Sequence, residues 1–310
     1  MVTRCHIHTP VSQGAKSMAN PNHPTPKIKF DALVPSEMAA KAESTGVKKA
    51  TSDALQLFIL AILAGAFVGL GAIYYTTVLA GTGSLPYGVQ RLLGGLVFCL
   101  GLVLVIVGGA ELFTGNNLII MAWANKKIST TQLLRNWGIV YVGNFVGSVL
   151  TALIMYFTRQ YTFGNGAVGL TALNIANTKS SLEFIPAVAL GIMCNALVCM
   201  AVWLCFSAHS TTDKILSIIF PISGFAAAGF EHSVANMYFI PVGLFIKQFD
   251  PTVFHLPAFV DAGKTLADYG ALTWGNFFLK NLLPVTIGNV IGGALMVGGV
   301  YWFIYLRKAK

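Results

Sequence analysis

The sequence predicts an all-α membrane protein: six transmembrane helices arranged as an inverted three-helix repeat, with the second and fifth helices broken. Three observations predict it. Of 310 residues, 55% are hydrophobic and only 10% charged, too little charge to keep the surface of a soluble chain of this size wet. Six nearly charge-free stretches, 54–81, 92–125, 136–158, 184–208, 215–246 and 281–306, are long enough to cross a bilayer. The chain also repeats itself. Asn136-x6-Gly143-Asn144-x2-Gly147-x2-Leu150 returns as Asn281-x6-Gly288-Asn289-x2-Gly292-x2-Leu295, and Glu111-x4-Asn116 returns as Glu231-x4-Asn236. Gly65 and Gly191 are a weaker echo.

Residues 1–30 contain His6, His8, His23, several prolines and scattered lysines, with no apolar run resembling a signal peptide; they read as a disordered tail. Residues 31–52 read as a cytoplasmic amphipathic helix centred on 35–46. Pro35 suits its first turn and Gly46 its end, and Met38, Ala39 and Ala42 share one side. Such a helix is expected to lie on the membrane surface. Residues 53–307 form the six-span domain, repeat one over about 53–160 and repeat two over about 180–307.

Lysine and arginine set the orientation. Lys41, Lys48, Lys49, Lys126, Lys127, Arg135, Lys214, Arg307, Lys308 and Lys310 fall on the side of both tails. Arg91, Arg159, Lys179, Lys247, Lys264 and Lys280 fall on the other. Both termini are therefore expected on the cytoplasmic side. The net charge of +9 reads as topology signal, not as affinity for nucleic acid. Cys99, Cys194, Cys199 and Cys205 sit in apolar spans without a CxxC pair or Cys/His cluster, so neither a disulfide framework nor a metal site is expected.

Three spans per copy turn the second copy upside down relative to the first, and a substrate site between such copies is the general pattern. Unbroken helices over 92–125 and 215–246 would run roughly 50 Å at 1.5 Å per residue, against a hydrocarbon core of about 30 Å. Each also holds an acidic residue, Glu111 or Glu231. Breaks near 110–117 and 225–237 resolve both difficulties, and irregular backbone at that depth is tolerated only where protein buries it or it lines a cavity. Around these breaks lie Thr114, Asn116, His232 and Asn236. Helix N-termini, the hydroxyl, the amides and the imidazole are the donors with which a small anion would replace its water. For Glu111, Glu231, Asn116 and Asn236 a second reading stands, that they cap the broken helices and tie the copies together. An ionisable ring in mid-membrane, such as His232, is a functional candidate by default. Gly143, Gly147, Gly288 and Gly292 read as close helix contacts.

The strings ELFTGN at 111–116, GFEHSVANM at 229–237 and NLLPVTIGNVIGG at 281–293 resemble the formate/nitrite transporter family, most nearly its formate channel branch, with span count and spacing in agreement across 31–307. The resemblance implies an aquaporin-like homopentamer in a bacterial cytoplasmic (inner) membrane, a pore in each protomer, no cofactor and no enzymatic activity. It further implies a pore centre of His232 facing Thr114, with Asn195 and Asn289 nearby. Apolar constrictions are implied at Leu102, Leu112, Phe113 and Val198 on one side and at Phe98 and Phe225 on the other, with Lys49 and Lys179 in the two vestibules and gating by the N-terminal helix according to pH. From the residues alone, Phe98, Leu102, Val198 and Phe225 look like ordinary packing residues, and Lys49 and Lys179 like topology or loop charges.

The function expected is pH-gated passage of formate and of small monovalent anions such as nitrite. A bare carboxylate crosses apolar constrictions at a cost of several kcal/mol. His232 is therefore expected to polarise or protonate the anion while Thr114 holds it, and His232→Phe to alter pH dependence more than folding. A nitrite or hydrosulfide channel of the same family is the alternative. A neutral-solute channel of the aquaporin type should carry two Asn-Pro-Ala motifs, which neither break contains. A metalloprotease should carry His-Glu-x-x-His, whereas here Glu231 precedes His232.

Overall fold

A computed structural model describes residues 32–307. Among them there is no strand. Five helices are long and apolar enough to cross a membrane, and a sixth span arises if one pair, bent by 51° at a short break, counts as one. In chain order the elements are α1 (Pro35–Ala50), α2 (Ala54–Leu79), α3 (Tyr87–Gly108), the short α4 (Phe113–Asn116) continued through a 3-10 turn into α5 (Ile120–Ala124), α6 (Thr130–Thr158), α7 (Ala167–Ser180), α8 (Phe184–Ser207), α9 (Thr211–Ala228) and α10 (Ser233–Phe249). After the short α11 (Pro257–Asp261), a long composite helix runs through α12 (Trp274–Asn276), α13 (Leu283–Val290) and α14 (Val300–Tyr305), joined by π-helical turns at Phe277–Leu282 and Ile291–Gly299. The expected tail over 1–30 lies outside the described residues.

Two stretches leave helical geometry inside apolar sequence. Helix α3 ends at Gly109 with φ +78°, and α9 ends at Gly229 with φ +79°. Both adopt the left-handed conformation that glycine reaches without steric cost. Each loop is stitched to the helix that opens its half of the chain: Glu111 N–H donates to Leu60 O at 3.2 Å, and Glu231 N–H to Leu190 O at 3.3 Å.

Glycine lets the helix pairs close. A Cβ on Gly147 of α6 would lie 2.0 Å from Ile62 O of α2, and one on Gly292 would lie 2.1 Å from Ile192 O of α8. Backbone touches backbone there, the packing typical of helices in membranes.

Four features depart from the sequence expectation. Helix α1 does not stop at Gly46 but runs on to Ala50. Gly46 is an approach point, where a Cβ would meet Ala122 Cβ at 3.2 Å. The apolar side of α1 (Met38, Ala39, Ala42) is also not spent on a lipid surface. It is buried in a cluster with Met121 and Trp203, because the ends of α5 and α8 offer it a protein surface. Helix α6 starts at Thr130, about two turns before the apolar stretch, since Ser129 and Gln132 form a capping box there. Helix α7 lies between spans and has no counterpart in the sequence reading.

Candidate functional site

The two loops meet through their polar side chains. Thr114 Oγ1, in the first turn of α4, lies 2.9 Å from His232 Nε2, and both residues are buried. His232 is the N-cap of α10, its Nδ1 accepting the Ala235 N–H at 3.0 Å. A nitrogen that accepts an N–H carries no proton of its own. In the neutral ring the proton is then on Nε2, which donates to Thr114 Oγ1. No acceptor for the Thr114 hydroxyl hydrogen is found among the described residues, so that hydrogen is available to a solute.

Asparagines hold the loops in place. Asn144 Oδ1 accepts Phe113 N–H at 2.9 Å, while its Nδ2 donates to Ala61 O at 2.7 Å and Glu111 O at 2.9 Å. In the second half Asn289 Oδ1 accepts Ser233 N–H at 2.9 Å, and its Nδ2 donates to Gly191 O at 2.8 Å and Glu231 O at 2.9 Å. The first N–H of each post-break helix is therefore occupied by protein. Asn195 Nδ2 lies within 3.3 Å of Thr114 O, Asn117 Oδ1 and Asn289 O. It ties the first loop to the last helix.

Each glutamate carries a lysine. Lys49 Nζ donates to Glu111 Oε2 at 3.0 Å and to Asn116 Oδ1 at 2.9 Å. Asn116 Nδ2 donates to Glu111 Oε2 at 2.7 Å and to Asn136 Oδ1 at 3.0 Å. Opposite, Lys179 Nζ donates to Glu231 Oε1 at 2.8 Å, and Asn236 Nδ2 to Glu231 Oε2 at 2.6 Å and Asn281 Oδ1 at 2.7 Å. One difference separates the two networks. Lys179 lies 5.5 Å from the Phe239 ring centre and does not reach Asn236 Oδ1, which is buried without a partner. All of these side chains cap or brace the breaks, which suits the structural reading of Glu111, Asn116, Glu231 and Asn236 made from sequence.

Two cavities flank the Thr114–His232 pair. On the α1 side a space of about 40 Å³ is lined by Ala42, Gly46, Lys49, Leu102, Leu112 and Asn116, among others. On the opposite side the space is about 460 Å³ and reaches His232 past Phe98, Phe225, Lys179 and Glu231. Phe98 and Phe225 meet edge to face at 5.7 Å, and Phe225 stacks on the His232 ring at 6.0 Å. Phe113 is turned outward against Tyr141 and Trp137, at 4.9 Å and 6.2 Å. Val198 is buried in the core. The sequence reading treated Arg91 as a loop charge and passed over Tyr75, yet both line the larger cavity. Among the described residues there is no cluster of His, Cys, Asp or Glu that would hold a metal ion.

A model of the formate/nitrite transporter family matches residues 36–303. The chain belongs to that family. It is 46% identical over 279 residues to the formate channel FocA of Escherichia coli strain K12, covering 90% of this chain and 96% of that one. It is 42% identical over 272 residues to FocA of Haemophilus influenzae, covering 88% and 94%. Among solved structures it is similar to a pentameric formate channel with formate bound, at TM-score 0.76 and 47% identity over 82% of this chain and 98% of that one. An FNT family ion channel aligns at TM-score 0.73 and 28% identity, over 86% and 98%. These two relatives and two solved structures are channels.

Proposed function

We propose that the protein is a formate channel of a bacterial cytoplasmic membrane, a homopentamer with one pore through each protomer that also passes small monovalent anions such as nitrite. Its architecture in this reading is six spans in two inverted halves, over about 53–160 and 180–307, with α3–α5 and α9–α10 as the broken second and fifth spans. Both termini and α1 are cytoplasmic. The observation that carries the reading is the buried Thr114–His232 hydrogen bond, with a lysine-lined cavity toward each side of the protein. The likeness to a pentameric channel with formate bound adds to it.

Lys179 and Lys49 concentrate anions at the two mouths, each softened by its glutamate. Phe98 and Phe225 on one side, and Leu102, Leu112 and Val198 on the other, strip water. At the centre Thr114 donates its hydroxyl hydrogen to a carboxylate oxygen while His232 Nε2–H donates to Thr114 Oγ1. Charge on the anion is thereby met by two donors in series. Full proton transfer through Thr114 requires a ring that holds a second proton at Nδ1, which means releasing the Ala235 N–H. The His232 cap is therefore the element that moves when formate leaves as the neutral acid. Helix α1, which roofs the smaller cavity with Ala42 and Gly46, is the pH-dependent gate.

Purified protein in liposomes should take up radiolabelled formate well above empty vesicles, nitrite and hydrosulfide to lesser extents, and glycerol not at all. Glycerol passage without formate passage would replace this reading with that of a neutral-solute channel.

A further inference from the structure

Arg91 has a task that no part of the transport reading assigns. It lies in the second turn of α3 and reaches across to the carbonyl end of α9. Its Nε donates to Ala227 O at 2.9 Å, its Nη2 to Ala226 O at 2.6 Å and its Nη1 to Tyr75 OH at 2.7 Å. Helices end with carbonyls that lack an intrahelical donor. Here Phe230 N–H takes Phe225 O at 3.1 Å and Gly229 N–H takes Ala226 O at 3.3 Å; the guanidinium adds a shorter bond to Ala226 O and supplies Ala227 O. No carboxylate pairs with Arg91 among the described residues. Its partners are the partial negative charge of a helix C-terminus and a phenol. The first break has no equivalent: Ala110 N–H takes Val105 O at 2.9 Å, but no side-chain donor to Ile106 O or Val107 O is found among the described residues.

What this clamp holds is the constriction. Phe225 directly precedes the clamped carbonyls. Phe98 sits two turns along α3 from Arg91. The Tyr75 ring, whose hydroxyl Arg91 grips, packs edge-on against Phe98 at 6.1 Å, and Phe98 packs on Phe225 at 5.7 Å. The two helices approach closely between them, since a Cβ on Gly95 would lie 2.5 Å from Ser223 O. One planar, multi-donor group thus fixes both walls of the gap in front of His232. A lysine would keep the charge but has no fork to hold two carbonyls and a phenol at once.

We propose that Arg91 is a positioning residue that sets the width of the Phe98–Phe225 gap, and so decides how large a carboxylate passes. The inference rests on the formate channel reading, and the test separates the two. Arg91→Lys, Arg91→Gln and Tyr75→Phe would be reconstituted in liposomes after gel filtration confirms assembly. Initial uptake of formate, acetate and butyrate would then be compared at one pH. Both Arg91 variants are expected to raise the butyrate-to-formate ratio by about threefold or more. Tyr75→Phe, which spares the carbonyl bonds, should raise it less and serves if Arg91→Gln fails to assemble. An unchanged ratio in Arg91→Lys overturns the inference. So does a proportional fall for all three acids in Arg91→Gln with full recovery in Arg91→Lys, which would assign Arg91 to anion attraction alone. Wild-type protein that passes no acid would instead overturn the channel reading, and this inference with it.

Discussion

Asn144 and Asn289 make the same three hydrogen bonds at the two helix breaks. Each accepts the first N–H after its break, and each donates to the backbone carbonyl of the nearby glutamate and to a carbonyl of the neighbouring helix. Irregular backbone away from water is stable only if such groups find partners. One side chain per break provides them.

Asn289→Leu should therefore cost more than a typical core change of equal size. It leaves Ser233 N–H and Glu231 O buried and unpaired, a loss of about 3 kcal/mol or more. Thermal unfolding in detergent measures it, with Asn144→Leu expected to behave alike. Stability within about 0.5 kcal/mol of wild type, the range of ordinary surface changes, would contradict the anchoring role.

The two ion pairs should not be equivalent. Glu231 and Lys179 side chains are 7% and 16% exposed, against 13% and 29% for Glu111 and Lys49. Removing one charge strands the other, and the penalty rises with burial. Glu231→Gln should cost about 3 kcal/mol, and Glu111→Gln about 1 kcal/mol after allowance for solvent near Lys49. Chemical denaturation of both variants would reveal the order, and a costlier Glu111→Gln would refute it.

Contact glycines offer a third check. Gly147→Ala and Gly292→Ala force a methyl into a carbonyl oxygen at 2.0 and 2.1 Å, so α2 and α6, or α8 and the π-helical turn after α13, must separate and yields of folded protein should collapse. Gly83, with nothing within 4 Å of its would-be Cβ, should accept alanine. Equal yields for all three would mean the helices separate without penalty.

How far the sequence carried depends on the kind of interaction. The asparagine and glycine spacing was visible because the same packing problem is solved twice in one chain. Gly143 and Gly147 look like contact residues in the string and touch the backbone of α2 in space. The polar residues at 111–116 and 231–236 stand out because apolar surroundings make them costly. Arg91 did not stand out. A charge at the edge of an apolar stretch reads the same whether it wets a loop or caps a helix more than a hundred residues away. The resemblance puts Asn195 near the histidine, but nothing in the string says that its amide binds Thr114 O, Asn117 and Asn289 O. Gly46 reads locally as a helix end, and only the approach of Ala122 gives it another purpose. Helix α7, too short and polar for a span, carries Lys179, whose partner Glu231 is 52 residues distant. The π-helical turns of the last helix leave no mark in hydrophobic spacing.

The most direct test of the central claim is formate flux into liposomes, measured from pH 5 to pH 8 for wild type, Thr114→Val and His232→Phe. Thr114→Val keeps the shape and removes the free hydroxyl hydrogen; His232→Phe removes its backing donor. Loss of a hydrogen bond to a charged group, about 1.5–3 kcal/mol, corresponds to a fall of roughly tenfold or more in flux. Both variants should show that fall, and His232→Phe should flatten the pH dependence, while assembly stays normal. Wild-type flux at every pH in both variants would remove Thr114 and His232 from the transport path.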